Sequence, residues 1–221
     1  METMKKLTAL FLCGLLLFQG CFALAEGEEP LYPDVPATEW FAGDIAKVTE
    51  MGLMGGSDDG LFHPNDPVSR AAVITVLWRM EGSPAPQSDW ETTRPFPDVN
   101  GSDPLSPSYW YAQAAAWAKE AGVATGYEDG SFLGARAVNR EELAMFLYRY
   151  AVYKKQPEAQ GTLNLFPDAD RVSDWAKTAL CHAVGMGLLQ GNDAGELSPQ
   201  GTALRCQLAA ILVRMNTPVA G

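Results

Sequence analysis

With 221 residues, 47% of them hydrophobic, the chain is long enough to bury one sizeable core. A formal net charge of −11 and a pI of about 4.6 exclude strong attraction to nucleic acid or to an anionic membrane, because phosphate contacts need clustered Lys and Arg. No basic cluster exists beyond Lys5-Lys6 and Lys154-Lys155.

In chain order, residues 1–25 read as an export signal. Lys5-Lys6 precede an apolar run from Leu7 to Phe18, too short to span a bilayer comfortably, and Ala23-Leu24-Ala25 has the A-x-A form of a cleavage site. A rival processing point is Cys21, which follows Gly20 as in a lipoprotein. The mature chain is expected to be secreted, with no membrane span. Residues 26–30 form a short acidic leader.

From there the chain repeats. Trp40, Trp110 and Trp175 mark equivalent positions, as do Gly52, Gly122 and Gly187, then Arg70, Arg140 and Arg205, then Arg79, Arg149 and Arg214. In each set the steps are 70 and then 65 residues. Upstream of these lie Tyr32-Pro33-Asp34, Phe96-Pro97-Asp98 and Phe166-Pro167-Asp168. The copies span 31–81, 96–153 and 165–216. Between them, 82–95 carries three prolines and 154–164 is polar, and both read as linkers.

Each copy predicts an aromatic-Pro-Asp turn, a first helix containing the Trp, a C′ glycine, a Gly-rich loop and a second helix. The second helices show helical apolar stripes: Val73, Val76, Leu77 and Met80; Leu143, Phe146, Leu147 and Tyr150; Leu208, Ile211 and Leu212. Ser69 and Asn139 are N-cap residues, Asn139 with Glu142 making a variant capping box, whereas Leu204 offers no capping side chain. Two short helices cannot bury such faces alone, so the three copies are expected to share one core.

The ordered set of aromatic-x-Asp-Val, Trp, Gly-x-x-x-Gly, Asp-Gly-x-Phe and an Arg motif at a helix start resembles the S-layer homology domain. Asp34-Val35 and Asp98-Val99, Asp59-Gly60-Leu61-Phe62 and Asp129-Gly130-Ser131-Phe132 carry the likeness, which covers residues 31 to the C-terminus. The resemblance implies an all-α fold: three helical hairpins in a pseudo-threefold spindle, with one helix of each in a central three-helix bundle. It implies a non-catalytic wall anchor at the bacterial cell surface. Its partner would be a secondary cell-wall polysaccharide, often pyruvylated, or a peptidoglycan-linked glycan, held in grooves between copies.

The candidate ligand-binding residues are Arg70, Arg140, Arg205, Asp34, Asp98, Asp168, Trp40, Trp110, Trp175, Gly56 and Gly126. An Arg at the first helical turn opposes the helix dipole, so its recurrence asks for a reason. Either its planar fork grips an anion, helped by helix N–H groups, or it staples loop to helix beside the upstream Asp. The aspartates are either turn carboxylates accepting backbone N–H bonds or polar walls of a sugar site. The tryptophans are either core or stacking platforms. Arg79, Arg149 and Arg214, near the helix C-termini, suit the dipole and read as structural. The third copy, with Leu204 and Ala194 at variant positions, is expected to contribute least to ligand.

No metal or cofactor is expected. The acidic loop residues Asp58, Asp59, Glu128 and Asp129 lack the alternation of a calcium loop, and His63 and His182 stand alone. Nucleophilic catalysis has no Gly-x-Ser-x-Gly or Cys-His candidate. A glycan hydrolase using a carboxylate pair and a self-assembling surface protein without glycan binding stay open as alternatives. A Cys181–Cys206 disulfide is open as well.

Overall fold

The structure, a computed structural model, describes residues 30–217. The export signal, the Cys21 alternative and most of the acidic leader lie outside the described residues. Six α-helices follow in order: α1 (Ala42–Glu50), α2 (Arg70–Met80), α3 (Tyr109–Glu120), α4 (Arg140–Tyr153), α5 (Lys177–Gly185) and α6 (Arg205–Asn216). Three single turns, Leu163–Leu165, Ala169–Arg171 and Asp174–Ala176, precede α5. Among the described residues there is no sheet, only three isolated backbone bridges.

Each first helix stops at its repeated glycine. Gly52, Gly122 and Gly187 sit at φ +68°, +69° and +67°, a conformation that costs glycine little and other residues more. The second helices start as their caps dictate. Ser69 Oγ accepts from the Ala72 N–H, and Asn139 and Glu142 exchange both bonds of a capping box. At α6, Gln207 reaches back to the Leu204 N–H, and the leucine side chain returns nothing.

The predicted stripes are inside: Val73, Leu77, Leu143, Leu147, Leu208 and Leu212 are at most 1% exposed. The buried arc is wider than the stripes, taking in Ile74, Ala144 and Ala209. All three copies contribute to one core cluster.

The all-α, three-copy architecture is the expected one, but the strong helix pairing runs between copies. The first helix of one copy lies on the second helix of the copy before it: α3 on α2, α5 on α4, and α1 on α6. The last pair closes the ring. Contact between α2 and α4 supports it from inside.

The closure has a backbone core of its own. Val68 N–H donates to Ala203 O, Ala203 N–H to Val138 O, and Val138 N–H to Val68 O. These three residues are 0–1% exposed, so each bond is dry. The triangle lies two residues before each second helix and fixes where the three helix starts emerge.

The linkers are bonded straps. Glu120 accepts the Gln87 and Ser88 N–H groups, both at 2.8 Å, and Trp78 Nε1 donates to Pro84 O. In the second strap, Ala159 N–H donates to His182 Nδ1 and Gly161 N–H to Cys181 O. Gly161 and Gly185 are mutually required there: a Cβ on Gly161 would meet Gly185 N at 2.5 Å.

Candidate functional site

The recurrent arginines reach across copies. Arg70 Nε donates to Phe132 O and its Nη2 to Thr125 O, both in copy two. Arg140 donates from Nε to Leu197 O and from Nη2 to Gln190 O, both in copy three. Arg205 donates likewise to Phe62 O and Gly55 O in copy one. Each guanidinium thus staples the start of a second helix to the loop of the next copy around the ring. The expected stapling is real, but its acceptors are carbonyls 50 to 150 residues away rather than an Asp of the same copy.

Arg70 and Arg140 are 7% and 8% exposed, and Arg205 is half-buried. Burial lowers the pKa of all three, yet a guanidinium starts so high that each remains a cation. Among the described residues, Nη1 of each has no protein partner in hydrogen-bond range.

The helix N-termini do not add to an anion site as expected. Arg70 and Ala71 N–H donate to Arg136 O and Gly134 O, Arg140 and Glu141 N–H to Gly201 O and Pro199 O, and Arg205 and Cys206 N–H to Asp66 O and Pro64 O. These would-be anion donors are used to join the copies, which leaves side chains as the candidate ligand contacts.

The aspartates act as turn clamps. Asp34 takes the Phe62 and His63 N–H groups, Asp98 those of Phe132 and Leu133, and Asp168 those of Leu197 and Ser198, at 2.7–2.9 Å. In each pair the second residue is left-handed without being glycine: His63, Leu133 and Ser198 have φ of +56°, +53° and +50°. The carboxylate holds that strained step in place. Burial alone pushes the Asp168 carboxyl up, and the two N–H bonds outweigh it and hold it below its usual value.

Gly56 and Gly126 serve the same loops. A Cβ on Gly56 would meet Leu61 O at 2.9 Å, and one on Gly126 would meet Gly130 O at 2.7 Å. The bare backbone lets the loop close, which presents the carbonyl of Gly55 or Thr125 to its arginine.

The core reading of the tryptophans is corrected. Trp40, Trp110 and Trp175 are 62%, 58% and 54% exposed. Trp40 precedes α1, Trp110 is the second residue of α3, and Trp175 lies in the single turn before α5. At a helix entrance the indole projects outward, and the neighbouring Phe41 or Tyr111 takes the buried place.

One groove of about 460 Å³ gathers residues from all three copies. Trp40 comes from copy one and Arg140 from copy two, with Gln190, Asn192, Asp193, Gln207 and Arg214 from copy three. Copy three, expected to contribute least, supplies most of this lining. Arg214, read from the sequence as structural, does donate from Nη1 to Leu188 O, and it also lines this groove. Its helix-terminal position fits a structural role equally well, and only the folded ring brings it beside Arg140. A second hollow of about 240 Å³ holds Trp110, Asp98, Ser106 and Ser108 against the start of α2. The arrangement offers an indole face, two cations and amide groups, which suits a polar ring carrying a negative charge.

A family model described as S-layer homology domain matches residues 31–74, 95–144 and 165–209. The chain belongs to the S-layer homology family. The three matches coincide with the three copies that close the ring. Among related proteins, an endoglucanase of Bacillus sp. (strain KSM-635) is 28% identical over 193 residues, covering 86% of this chain and 19% of the relative. An S-layer protein of Bacillus thuringiensis subsp. finitimus is 27% identical over 186 residues, 84% of this chain and 21% of the relative. A cellulosome-anchoring protein of Acetivibrio thermocellus is 25% identical over 162 residues, 73% and 35% respectively. The S-layer homology chain therefore spans about a fifth to a third of the length of these relatives.

Among the described residues no three His, Cys, Asp or Glu side chains gather as for a metal ion, and no helix is long and apolar enough to cross a membrane. Cys181 and Cys206 are unpaired thiols. Burial pushes the Cys206 thiol up from its ordinary value.

Proposed function

We propose that this protein is a non-catalytic anchoring module that attaches to the bacterial cell wall by binding an acidic secondary polysaccharide in the grooves between its copies. The observation that carries this reading is the groove shared by Trp40, Arg140 and Arg214. An indole exposed beside two guanidinium groups matches a sugar ring bearing a carboxylate, such as a pyruvate ketal. Arg140 is already oriented by two carbonyls, so its free Nη1 meets a carboxylate with little further ordering. Arg70 and Arg205 hold the equivalent positions in the other two copies, with Trp110 and Trp175 as the matching indoles, and the aspartates and Gly56 and Gly126 hold the loops.

The relatives support anchoring over chemistry. The same segment matches an endoglucanase, an amylopullulanase and S-layer proteins. A segment common to such different activities suits attachment better than any single reaction. Secretion to the cell surface follows from this reading.

The test is co-sedimentation with Gram-positive sacculi that keep their secondary polysaccharide. Trp40→Ala is the informative variant, because its exposed ring adds little to the core. Its affinity is expected to fall roughly tenfold, the worth of a ring contact of about 1–1.5 kcal/mol, with an unchanged melting temperature. Undiminished binding by Trp40→Ala together with Arg214→Gln rejects this groove as the site.

A further inference from the structure

The three arginine sites are built alike but covered differently. The loops share one turn: the N–H of Ser57, Tyr127 and Asn192 donates to Leu61 O, Ser131 O and Glu196 O respectively. These three residues are therefore structurally equivalent. In copy two the position carries a phenol ring, and that ring lies over Arg70 with 4.7 Å from Cζ to the ring centre. Phe132 and Phe146 flank the same guanidinium at 5.0 and 5.1 Å. Among the described residues Arg205 lies over Phe62 alone, and Arg140, with Leu197 in the place of a Phe, lines the groove shared with Trp40.

The phenol is also tied down. Arg136 Nη1 donates to Tyr127 Oη and to Glu142, and Tyr127 Oη donates to Glu142 Oε1. By the repeat spacing, Arg136 corresponds to Asp66 and Gly201, and Glu142 to Ala72 and Gln207. The ring and both residues that latch it thus occur together in copy two and in neither other copy.

We propose that Tyr127 closes the Arg70 site to the acidic glycan, so that the grooves of this chain are unequal and Tyr127 sets how many of them work. This rests on the glycan reading above. Arg70 and Arg140 are equally buried, and the difference lies in the cover: a carboxylate approaching Arg70 meets a latched phenol, whereas Arg140 and the equivalent Asn192 both line the groove. Moving the ring aside breaks its bonds to Arg136 and Glu142.

The experiment follows the arginine Nε–H signals by NMR while the whole protein is titrated with a methyl hexopyranoside bearing a 4,6-pyruvate ketal, with the neutral methyl glycoside as control. In the wild type the Arg140 signal shifts and the Arg70 signal does not. In Tyr127→Asn and Tyr127→Ser, which install the copy-three and copy-one residues, the Arg70 signal also shifts and the calorimetric stoichiometry rises by one. The exposed loop position keeps both variants folded, which the unchanged signals of the other arginines would verify. If Arg70 responds in the wild type as readily as Arg140, or stays silent in both variants while Arg140 responds, the proposal is overturned and the glycan reading stands. If Arg140 itself is silent throughout, the glycan reading fails and the proposal goes with it.

Discussion

A carboxylate and a left-handed residue form the smallest unit of this fold. Asp168 is buried and takes two backbone N–H groups, so Asp168→Ala leaves both without their acceptor. A loss of roughly 1–3 kcal/mol in urea unfolding is expected. Leu133 is exposed at φ +53°, so its side chain contributes strain without much packing. Leu133→Gly is expected to hold or raise stability by about 0.5 kcal/mol, and Leu133→Val to lower it by at least as much. The same urea titration measures both. The Asp-Gly and Asp clamps were readable as turn residues from their types and order. The left-handed step was not, because His63, Leu133 and Ser198 share no chemistry that marks it. On the proposed glycan reading Arg140 would join stability to binding: Arg140→Lys keeps the charge but loses the fork that serves two carbonyls, so urea midpoint and sacculus affinity are expected to fall together.

Among the elements, α5 and the strap before it carry a pH-sensitive joint. His182 is 2% exposed, its Nδ1 accepts the Ala159 N–H, and its Nε2 has no hydrogen-bond partner among the described residues. The Tyr148 ring packs on it at 5.4 Å, and Glu158 is the nearby acidic group. Burial pushes the imidazole below its ordinary value, against the opposing pull of Glu158. The folded state therefore prefers the neutral ring. Its stabilising effect is complete above the unfolded value of about 6.5 and is lost as pH falls through the lower folded value. Between pH 7 and 5 the melting temperature of the wild type is expected to fall more than that of His182→Leu, as scanning calorimetry would read. Helix periods and caps made the six helices legible, including the missing cap at Leu204. Their partners were not legible, because an apolar stripe says that a face is buried without saying against which helix. The open choice for the tryptophans has the same root: an indole at a helix entrance and one in a core look alike in sequence.

For the whole molecule, the ring has no free-standing part. α1 needs α6 and the Val68–Ala203–Val138 triangle needs all three copies. A chain ending at Tyr153 is expected to lose both and to remain largely unfolded by circular dichroism. The intact protein is expected to unfold in one step, with tryptophan fluorescence and circular dichroism coinciding. Three copies and one shared core could be inferred from spacing alone. The groove could not, since Trp40, Arg140 and Arg214 come from three copies and meet only when the ring closes. The most direct measurement of the anchoring claim compares binding of the intact protein to sacculi before and after mild acid removes ketal pyruvate from their polysaccharide. Binding that is strong before treatment and lost after it is the expected result; equal binding to both preparations would contradict the account.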